Sequence, residues 1–342
     1  MKACIFHGPG DVRVEERPRP QPGPSQMLLE MRATGICYSD IRVYKGEKKA
    51  RAGVIPGHEP VGVIAALGEK VEGFRTGQEV ALCPILACGA CFFCRRGYRN
   101  RCPQRVTLGY EEDGGLAEYM LVPEALLRLG HVFPLPPGLP ASRATLTEPL
   151  ACVLNSLETC RVTAGNSLVV VGAGPMGLLH IMLARQMGVS TIIAVELLGE
   201  RLTHARRFGA DICLNPERDD PASRVLAATD GLGADAVVIT TGSAQAAAAG
   251  LALARRQGVV SLFAGFPPDS NIALDANAIH YGELVLTGSQ NATSDQYRRA
   301  LQLLTRLPQA EEVNTHPFEI SEGPKAYSSR LGMDGLKSLV VF

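Results

Sequence analysis

One glycine-rich loop constrains the fold of this chain more than any other feature. Residues 171–177 read V-G-A-G-P-M-G; they end an apolar run, 167–171, and open a pattern of apolar residues at helical spacing. A G-x-G-x-x-G pattern between a strand and a helix is typical of a dinucleotide-binding βαβ unit. In this interpretation Gly172 permits the tight turn, Gly174 lets the backbone approach a pyrophosphate, and Gly177 lets the helix pack closely on the sheet.

The residues around the loop also suit a nucleotide. Pro175 and Met176 open the helix, whose N-terminus attracts phosphate groups. Glu196 ends the next apolar run at the expected distance of about 20 residues, where a carboxylate accepts the hydroxyls of an adenosine ribose and repels a 2′-phosphate. The pattern therefore favours NAD over NADP, although Arg201 could partner a phosphate instead. The alternatives are a structural turn for the loop and a solvated charge for Glu196.

Short apolar runs alternate with helical patterns through the middle of the chain. The runs expected to form strands are 167–171, 191–196, 211–214, 236–240 and 259–263. The segments expected to form helices are 176–187 and 201–208. Such alternation predicts βαβ units and a doubly wound parallel sheet, the Rossmann architecture, and we assign residues 151–295 to it.

The two ends of the chain have a different character. The first 150 residues are rich in Gly and Pro, and their short β-type runs are 27–32, 61–67, 79–82 and 117–122. These runs predict an all-β, barrel-like domain with long loops. A last helix at 295–307 and a closing strand at 337–341 are expected to rejoin this first domain.

Composition argues against several classes of protein. The chain has 342 residues with 34 Lys and Arg against 34 Asp and Glu, a balance that argues against a nucleic-acid partner. Its hydrophobic content of 46% is that of a folded protein, and its length suits two domains. The most apolar stretch, 167–184, is interrupted by glycines, a proline and a histidine, so no membrane span or membrane partner is predicted. The first residues show no signal-peptide pattern, and we expect a soluble, cytoplasmic protein.

Four of the ten cysteines crowd into one short segment. They are Cys88, Cys91, Cys94 and Cys102. Four thiolates close a tetrahedral shell around zinc and leave no open position, so such a site is structural. An iron–sulfur cluster is a weaker alternative because its last spacing is usually shorter, and cysteines without metal are another. The pattern suits a reducing compartment rather than a disulfide scaffold.

A second group of metal-ligand residues lies earlier in the chain. Cys37 stands in the segment G-I-C-Y-S-D, and His58 with Glu59 follows twenty-one residues later. A thiolate, an imidazole and a carboxylate are suitable zinc ligands. Taken separately, a distant cysteine and histidine are more often ordinary core residues than ligands.

Taken in order, the motifs resemble those of one family. G-I-C-x-S-D, G-H-E, the four-cysteine segment, E-P-L at 148–150 and the glycine loop together resemble the zinc-dependent medium-chain dehydrogenase/reductase (alcohol dehydrogenase) family, in its polyol or sorbitol dehydrogenase-like branch. The resemblance covers essentially the whole chain. It implies a GroES-like β-barrel catalytic domain, residues 1–150 completed by about 296–342, with an inserted Rossmann NAD-binding domain, residues 151–295.

The resemblance also implies a catalytic zinc. Cys37 and His58 would be its ligands, and Glu59 a ligand or a close neighbour. Glu148 stands where alcohol-dehydrogenase-like members place a cysteine, and it would bind the zinc directly or through water. Asp40 would hold the His58 ring. With the four-cysteine site, two zinc ions per chain are expected.

Three further positions bear on the reaction. Ser39 matches the family hydroxyl that accepts the substrate proton and passes it to the cofactor ribose. Arg42 stands where relatives commonly end this relay with a histidine, and arginine does not act as a base at physiological pH. Asn291 stands near a position where sorbitol-type relatives carry an arginine, which argues against sorbitol itself.

These features predict an oxidoreductase that transfers a hydride between NAD and a secondary alcohol, giving a ketone. The expected substrate is a polyhydroxylated small molecule: a polyol, sugar alcohol or cyclitol, including an aminocyclitol. A butanediol- or threonine-type dehydrogenase is the alternative within the class, and an NADH-reading zinc-ribbon sensor without turnover is the alternative outside it. An edge strand near residues 284–288 predicts a homodimer or homotetramer.

Overall fold

The computed structural model describes all 342 residues, and the chain folds into two units. One unit comprises Met1–Ala151 together with Ala292–Phe342, and the other comprises Cys152–Asn291. The sequence placed the second junction near residue 295. In the structure the chain re-enters the first unit slightly earlier, just before the helix that Thr293 caps.

The N-terminal part of the first unit is mostly strand. Its strands are β1 Lys2–Gly8, β2 Asp11–Glu16, β3 Met27–Ile36, β4 Glu59–Leu67, β5 Glu79–Leu82, β6 Ile85–Leu86, β7 Val106–Thr107, β8 Tyr119–Val122 and β9 Val132–Pro134. Its helices are α1 Tyr38–Tyr44, α2 Phe92–Arg95, α3 Glu124–Arg128, α4 Ala141–Ala144 and α5 Thr147–Thr159, with a 3-10 turn at Arg99–Arg101. Helix α5 begins in the first unit and ends in the second.

The second unit alternates strands and helices, and the chain then returns to the first unit. The second unit contains β10 Ser167–Val171, α6 Pro175–Gln186, β11 Thr191–Val195, α7 Gly199–Arg207, β12 Ile212–Leu214, α8 Pro221–Ala228, β13 Ala234–Ile239, α9 Ala244–Gly250, β14 Ala254–Leu262, α10 Ala276–Gly282 and β15 Val285–Gly288. The returning segment contains α11 Ser294–Leu304, β16 Asn314–Glu319, α12 Gly323–Gly332 and β17 Lys337–Val341. Further 3-10 turns lie at Leu251–Leu253, Pro308–Val313 and Ile320–Glu322.

The second unit is built on one parallel sheet of six strands. Their order is β12-β11-β10-β13-β14-β15, and every neighbouring pair is parallel. The central strands are continuous runs of buried aliphatic residues, as expected for strands covered on both faces. The order reverses direction beside β10, so the loop that leaves β10 opens at the switch point where doubly wound folds bind nucleotides. The predicted Rossmann architecture is confirmed.

The first unit is built on a mainly antiparallel sheet of seven strands. The main path runs β16-β17-β3-β4-β5-β9, and β8 also pairs with β3. Its long central strand β3 alternates toward a core that includes Met27, Leu29 and Met31. Strand β17 lies between β16 and β3, with Leu339 opposite Gly35. The C-terminal strand therefore completes the first sheet, and the GroES-like expectation is confirmed.

Several elements were not predicted from the sequence. The hairpin of β1 and β2 was missed, and the predicted run 117–122 is shorter in the structure, where β8 begins at Tyr119. Ala117 instead forms an isolated bridge with Ala3, and the carbonyl of Leu116 accepts from the amide of Cys4. These pairings join distant segments, so local patterning does not reveal them. None of the helices is both long enough and apolar enough to cross a membrane.

Candidate metal centres and nucleotide loop

Cys37, His58 and Glu59 meet at the ends of two paired strands. Cys37 follows β3 and caps helix α1, while His58 and Glu59 lie where β4 begins. The antiparallel register places Gly35 opposite Glu59, which brings the two chain segments together. One ligand atom from each of the three side chains lies within 4.8 Å of the others. The sulfur, imidazole and carboxylate donors form a set that suits zinc.

Asp40 orients two members of this group, His58 and Cys37. Its Oδ1 lies 3.1 Å from Nδ1 of His58, and its Oδ2 accepts from the Cys37 amide at 2.9 Å. Burial lowers the pKa of His58, but the charge and hydrogen bond of Asp40 and those of Cys37 together raise that pKa well above its ordinary value. Because Nδ1 faces Asp40, Nε2 of the ring is left for a metal.

Glu59 is held by a cation that the sequence analysis did not single out. Nζ of Lys337 lies 2.8 Å from Oε1 and 2.7 Å from Oε2 of Glu59, and the two side chains are 6% and 0% exposed. A Cβ at Gly35 would collide with the Glu59 carboxylate, so glycine is required beside the pair. This buried ion pair compensates the charge of Glu59 and fixes its position.

Ser39 belongs to a second cluster that the sequence analysis missed. Its Oγ lies 2.7 Å from the hydroxyl oxygen of Tyr110, which lies 3.0 Å from Nδ1 of His58. Nζ of Lys48 lies 3.4 Å above the Tyr110 ring centroid, and burial lowers the pKa of this lysine. Burial, then the charges of Asp40 and Cys37, raises the pKa of Tyr110 well above its usual range. The only local sign of this cluster in the sequence is the tyrosine directly after Gly109, in the loop that leads to G-G-L-A-E.

Glu148 and Arg42 stand apart from the three-donor group. Glu148 lies in the first turn of α5, and its carboxylate is not among the ligand atoms that lie within 4.8 Å of one another. Its charge nevertheless contributes to the raised pKa of Tyr110, after burial and the nearer groups, which places it in the same region. Arg42 lies on α1, where its Nε is 3.3 Å from the Glu47 carboxylate.

The four clustered cysteines lie together between β6 and β7. One sulfur from each of Cys88, Cys91, Cys94 and Cys102 is within 4.8 Å of the others. Backbone amides of Ala90 and Cys91 lower the pKa of Cys88 to about 6, so this thiol ionises readily. Four sulfurs at this spacing match a closed tetrahedral zinc site.

The glycine loop has the geometry that its pattern predicts. Gly172 has a φ of +98°, in the left-handed region, and a Cβ at Gly177 would collide with the Gly172 carbonyl oxygen. Thr240 directly follows the neighbouring strand β13, and its hydroxyl stabilises the turn by donating to the Gly172 carbonyl at 2.8 Å. A Cβ at Gly174 would meet only the guanidinium of Arg201, at 3.9 Å, so the loop is open at this point. The open backbone at the start of α6 fits a pyrophosphate.

Glu196 also holds the loop in place. Its Oε2 accepts from the Ala173 amide at 2.8 Å, and its Oε1 accepts from the amides of Leu197 and Leu198 at 2.8 and 3.1 Å. Nη1 of Arg201 lies 3.9 Å from Oε2. Since a carboxylate has about four acceptor sites, most of those of Glu196 are used by the backbone.

Family models match two parts of the chain. Residues 23–136 match the alcohol dehydrogenase GroES-like domain, and residues 175–306 match the zinc-binding dehydrogenase domain.

Three characterised relatives resemble the chain over most of their length. A sorbitol dehydrogenase from Halalkalibacterium halodurans is 35% identical, over 99% of both chains. An erythritol/L-threitol dehydrogenase from Mycolicibacterium smegmatis is 31% identical, over 95% of this chain and 92% of the relative. An L-threonine 3-dehydrogenase from Pyrococcus furiosus is 32% identical, over 87% and 84%.

Solved structures show the same fold. A zinc-binding dehydrogenase from Sinorhizobium meliloti 1021 bound to NADP superposes with a TM-score of 0.92 at 28% identity, over 100% of this chain and 99% of that one. An alcohol dehydrogenase from Escherichia coli CFT073 in complex with NADH gives 0.90 at 25% identity, with the same coverage.

The chain belongs to the zinc-dependent medium-chain alcohol dehydrogenases, in the polyol-dehydrogenase branch. It is therefore an enzyme that works with zinc and a nicotinamide cofactor on a small alcohol. The sensor alternative is wrong, because the family consists of dehydrogenases.

Proposed function

We propose that the enzyme oxidises a secondary alcohol of a polyol, sugar alcohol or cyclitol, including an aminocyclitol, with NAD⁺. The alcohol loses a hydride to NAD⁺ and a proton to the protein, giving a ketone and NADH. The observation that carries the proposal is the donor group of Cys37, His58 and Glu59, in which Cys37 is partly buried and the other two are buried, with the Ser39 hydroxyl in the cluster beside it. Two relatives named for polyols support the substrate class, as does a chain with no tryptophan and only 5% aromatic residues.

Residues of the first unit are assigned to metal binding, to orientation of the ligands and to proton acceptance. Cys37 and His58 would hold the zinc, with Glu59 beside them and Glu148 available directly or through water. Zinc bound there would supply Lewis-acid polarisation of the substrate oxygen. Asp40 keeps Nδ1 of His58 protonated and its ring oriented. Ser39 would accept the proton of the substrate hydroxyl while it passes its own hydrogen on to the cofactor ribose, and Arg42 does not take that proton further because a guanidinium is no base.

The proposal is tested by a steady-state screen of polyols, inositols and aminocyclitols with NAD⁺ and NADP⁺ in parallel. Turnover of at least one polyhydroxylated substrate with NAD⁺, by enzyme that contains two zinc ions per chain, is expected. Activity confined to short aliphatic alcohols contradicts the polyol assignment. Threonine and 2,3-butanediol belong in the same screen, because one relative is a threonine dehydrogenase and both substrates carry a secondary alcohol.

We infer a preference for NAD from Glu196, and replacing this residue tests it. Glu196→Ala removes the charge that repels a 2′-phosphate and leaves Arg201 free to bind one. We expect the ratio of kcat/KM for NADP⁺ to that for NAD⁺ to rise at least tenfold, about 1.4 kcal/mol. Glu196→Gln is the control that separates charge from loop anchoring, since an amide oxygen still accepts from the Ala173 amide. If neither variant changes the ratio, Glu196 does not select the cofactor.

We propose that the enzyme is a homodimer or homotetramer. Strand β15 is an edge of the parallel sheet, and Val285, Leu286 and the neighbouring Tyr281 expose large apolar side chains. An unpaired edge of this kind can pair with the same strand of a second copy across a two-fold axis. Light scattering on the purified enzyme measures the mass, and a monomer at micromolar concentration contradicts the proposal.

A cytoplasmic location also remains our proposal. None of the ten cysteines is paired in a disulfide. Two sites that depend on thiolate donors suit a compartment that keeps cysteines reduced.

A further inference from the structure

Tyr110 is a buried residue that the proposed mechanism does not use. The loop that carries it rests directly on the residue before His58, because Gly109 approaches Gly57 so closely that a Cβ there would lie 2.8 Å from the Gly57 amide nitrogen. The amide of Arg51 donates to the Tyr110 carbonyl at 2.7 Å, and Lys48 covers one face of the ring. The position of the Tyr110 hydroxyl is therefore set from several sides.

The directions of the hydrogen bonds around this hydroxyl follow from its partners. The Asp40 carboxylate only accepts, so Nδ1 of His58 carries the hydrogen that lies between them. The Tyr110 oxygen lies 3.0 Å from the same Nδ1, so it must be a second acceptor that shares this one hydrogen with Asp40. Its own hydrogen is left to donate to Oγ of Ser39, 2.7 Å away.

The hydrogen bond from Tyr110 restricts the rotamer of Ser39. A free serine hydroxyl samples three staggered rotamers, and it both donates and accepts in each. A donor at 2.7 Å holds Oγ in one rotamer and occupies one of its two lone pairs. The other lone pair stays available to accept a proton, and the serine hydrogen points away from Tyr110.

We propose that Tyr110 is a positioning residue that fixes the Ser39 hydroxyl in the orientation that accepts the substrate proton. This inference rests on the proposed function, in which Ser39 takes that proton. Tyr110 is 4% exposed, and it would act on the reaction only through Ser39. The chain from Asp40 through His58 and Tyr110 to Ser39 ties the orientation of a metal-binding imidazole to that of the proton acceptor.

A double-mutant cycle tests the proposal, with the alcohol that the wild-type enzyme turns over fastest. Tyr110→Phe deletes only the hydroxyl, and we expect kcat to fall about three- to tenfold with KM nearly unchanged, as for the loss of one hydrogen bond. In a Ser39→Ala background the same change should alter kcat less than twofold. An equal effect in both backgrounds, or no effect in either, overturns the proposal. Tyr119→Phe is the matched control, because its ring faces Arg19 rather than the metal centre.

Two readouts do not depend on turnover. Zinc content should be two per chain in Tyr110→Phe, whereas loss of one zinc would show that Tyr110 acts through His58 and would overturn the proposal. In crystals of the zinc-loaded enzyme, Ser39 should occupy one rotamer in the wild type and more than one in Tyr110→Phe. A single unchanged rotamer in the variant also contradicts it. If the wild-type enzyme turned over no alcohol, but Tyr110→Phe still changed the Ser39 rotamers, the result would count against the proposed function. It would not count against the role of Tyr110 in orienting Ser39.

Discussion

Replacing Cys37 by alanine is expected to lower kcat by about a thousandfold or more. The zinc supplies several kcal/mol of charge stabilisation in the transition state, and about 4 kcal/mol corresponds to three powers of ten in rate. Without the thiolate, His58 and Glu59 remain as a weaker pair of donors, and Glu59 is already engaged by Lys337. The measurements are steady-state kcat, metal content, which should fall from two zinc ions to one, and NADH binding by fluorescence, which should persist.

A matched control for this variant is Cys213→Ser. Cys213 lies on β12 in the second unit, where its thiol donates to the Leu202 carbonyl at 3.5 Å and interacts with Arg206. This control should keep both zinc ions and nearly all of its activity. A Cys37→Ala enzyme that retained more than a tenth of the wild-type kcat would rule out Cys37 as a ligand of a catalytic metal.

Replacing Lys337 by methionine is expected to destabilise the fold by about 3–5 kcal/mol. The change leaves the Glu59 carboxylate buried without its cation, and removing one partner of a buried pair costs far more than the pair itself contributes. Urea unfolding of the zinc-loaded enzyme measures the loss in free energy of unfolding. The double variant Glu59→Leu/Lys337→Met should recover much of it, because a nonpolar pair replaces an unpaired charge.

Lys325→Met provides the comparison at the surface. Lys325 also makes an ion pair at 2.8 Å, with Glu322, but the two side chains are 72% and 41% exposed. An exposed pair of this kind contributes little to stability, because solvent screens the two charges. If Lys337→Met and Lys325→Met lower the free energy of unfolding equally, the Glu59–Lys337 pair is solvated in solution and does not hold Glu59 in place.

The fold was predictable where the pattern is local. The glycine loop, the apolar runs and their spacing identified the parallel sheet, since buried parallel strands read as continuous aliphatic runs. The N-terminal hairpin was missed because neither strand alternates: four successive residues of β1 are buried, and β2 is mostly charged. The closing strand β17 and most of β3 were predicted as strands, but their pairing was not, and β16 was missed.

The candidate site was predictable as far as its motifs reach. Cys37 and His58 stand in short recognisable segments, and the structure brings them together with Glu59. Lys337 lies 278 residues from Glu59, and Tyr110 lies 52 residues from His58, so no spacing rule connects them. Glu196 was expected to face a ribose, and its contacts with three backbone amides also make it part of the loop. Such contacts depend on the folded backbone and leave no pattern in the sequence.

The placement of β17 determines when this enzyme becomes functional during its synthesis. The parallel-sheet unit is one continuous stretch, Cys152–Asn291, and it can fold as soon as it has left the ribosome. The other unit must wait, because β3 keeps a bare edge and Glu59 has no cation until translation passes Lys337. We therefore expect a nascent chain to form its nucleotide loop before the Glu59–Lys337 pair that completes the catalytic metal centre.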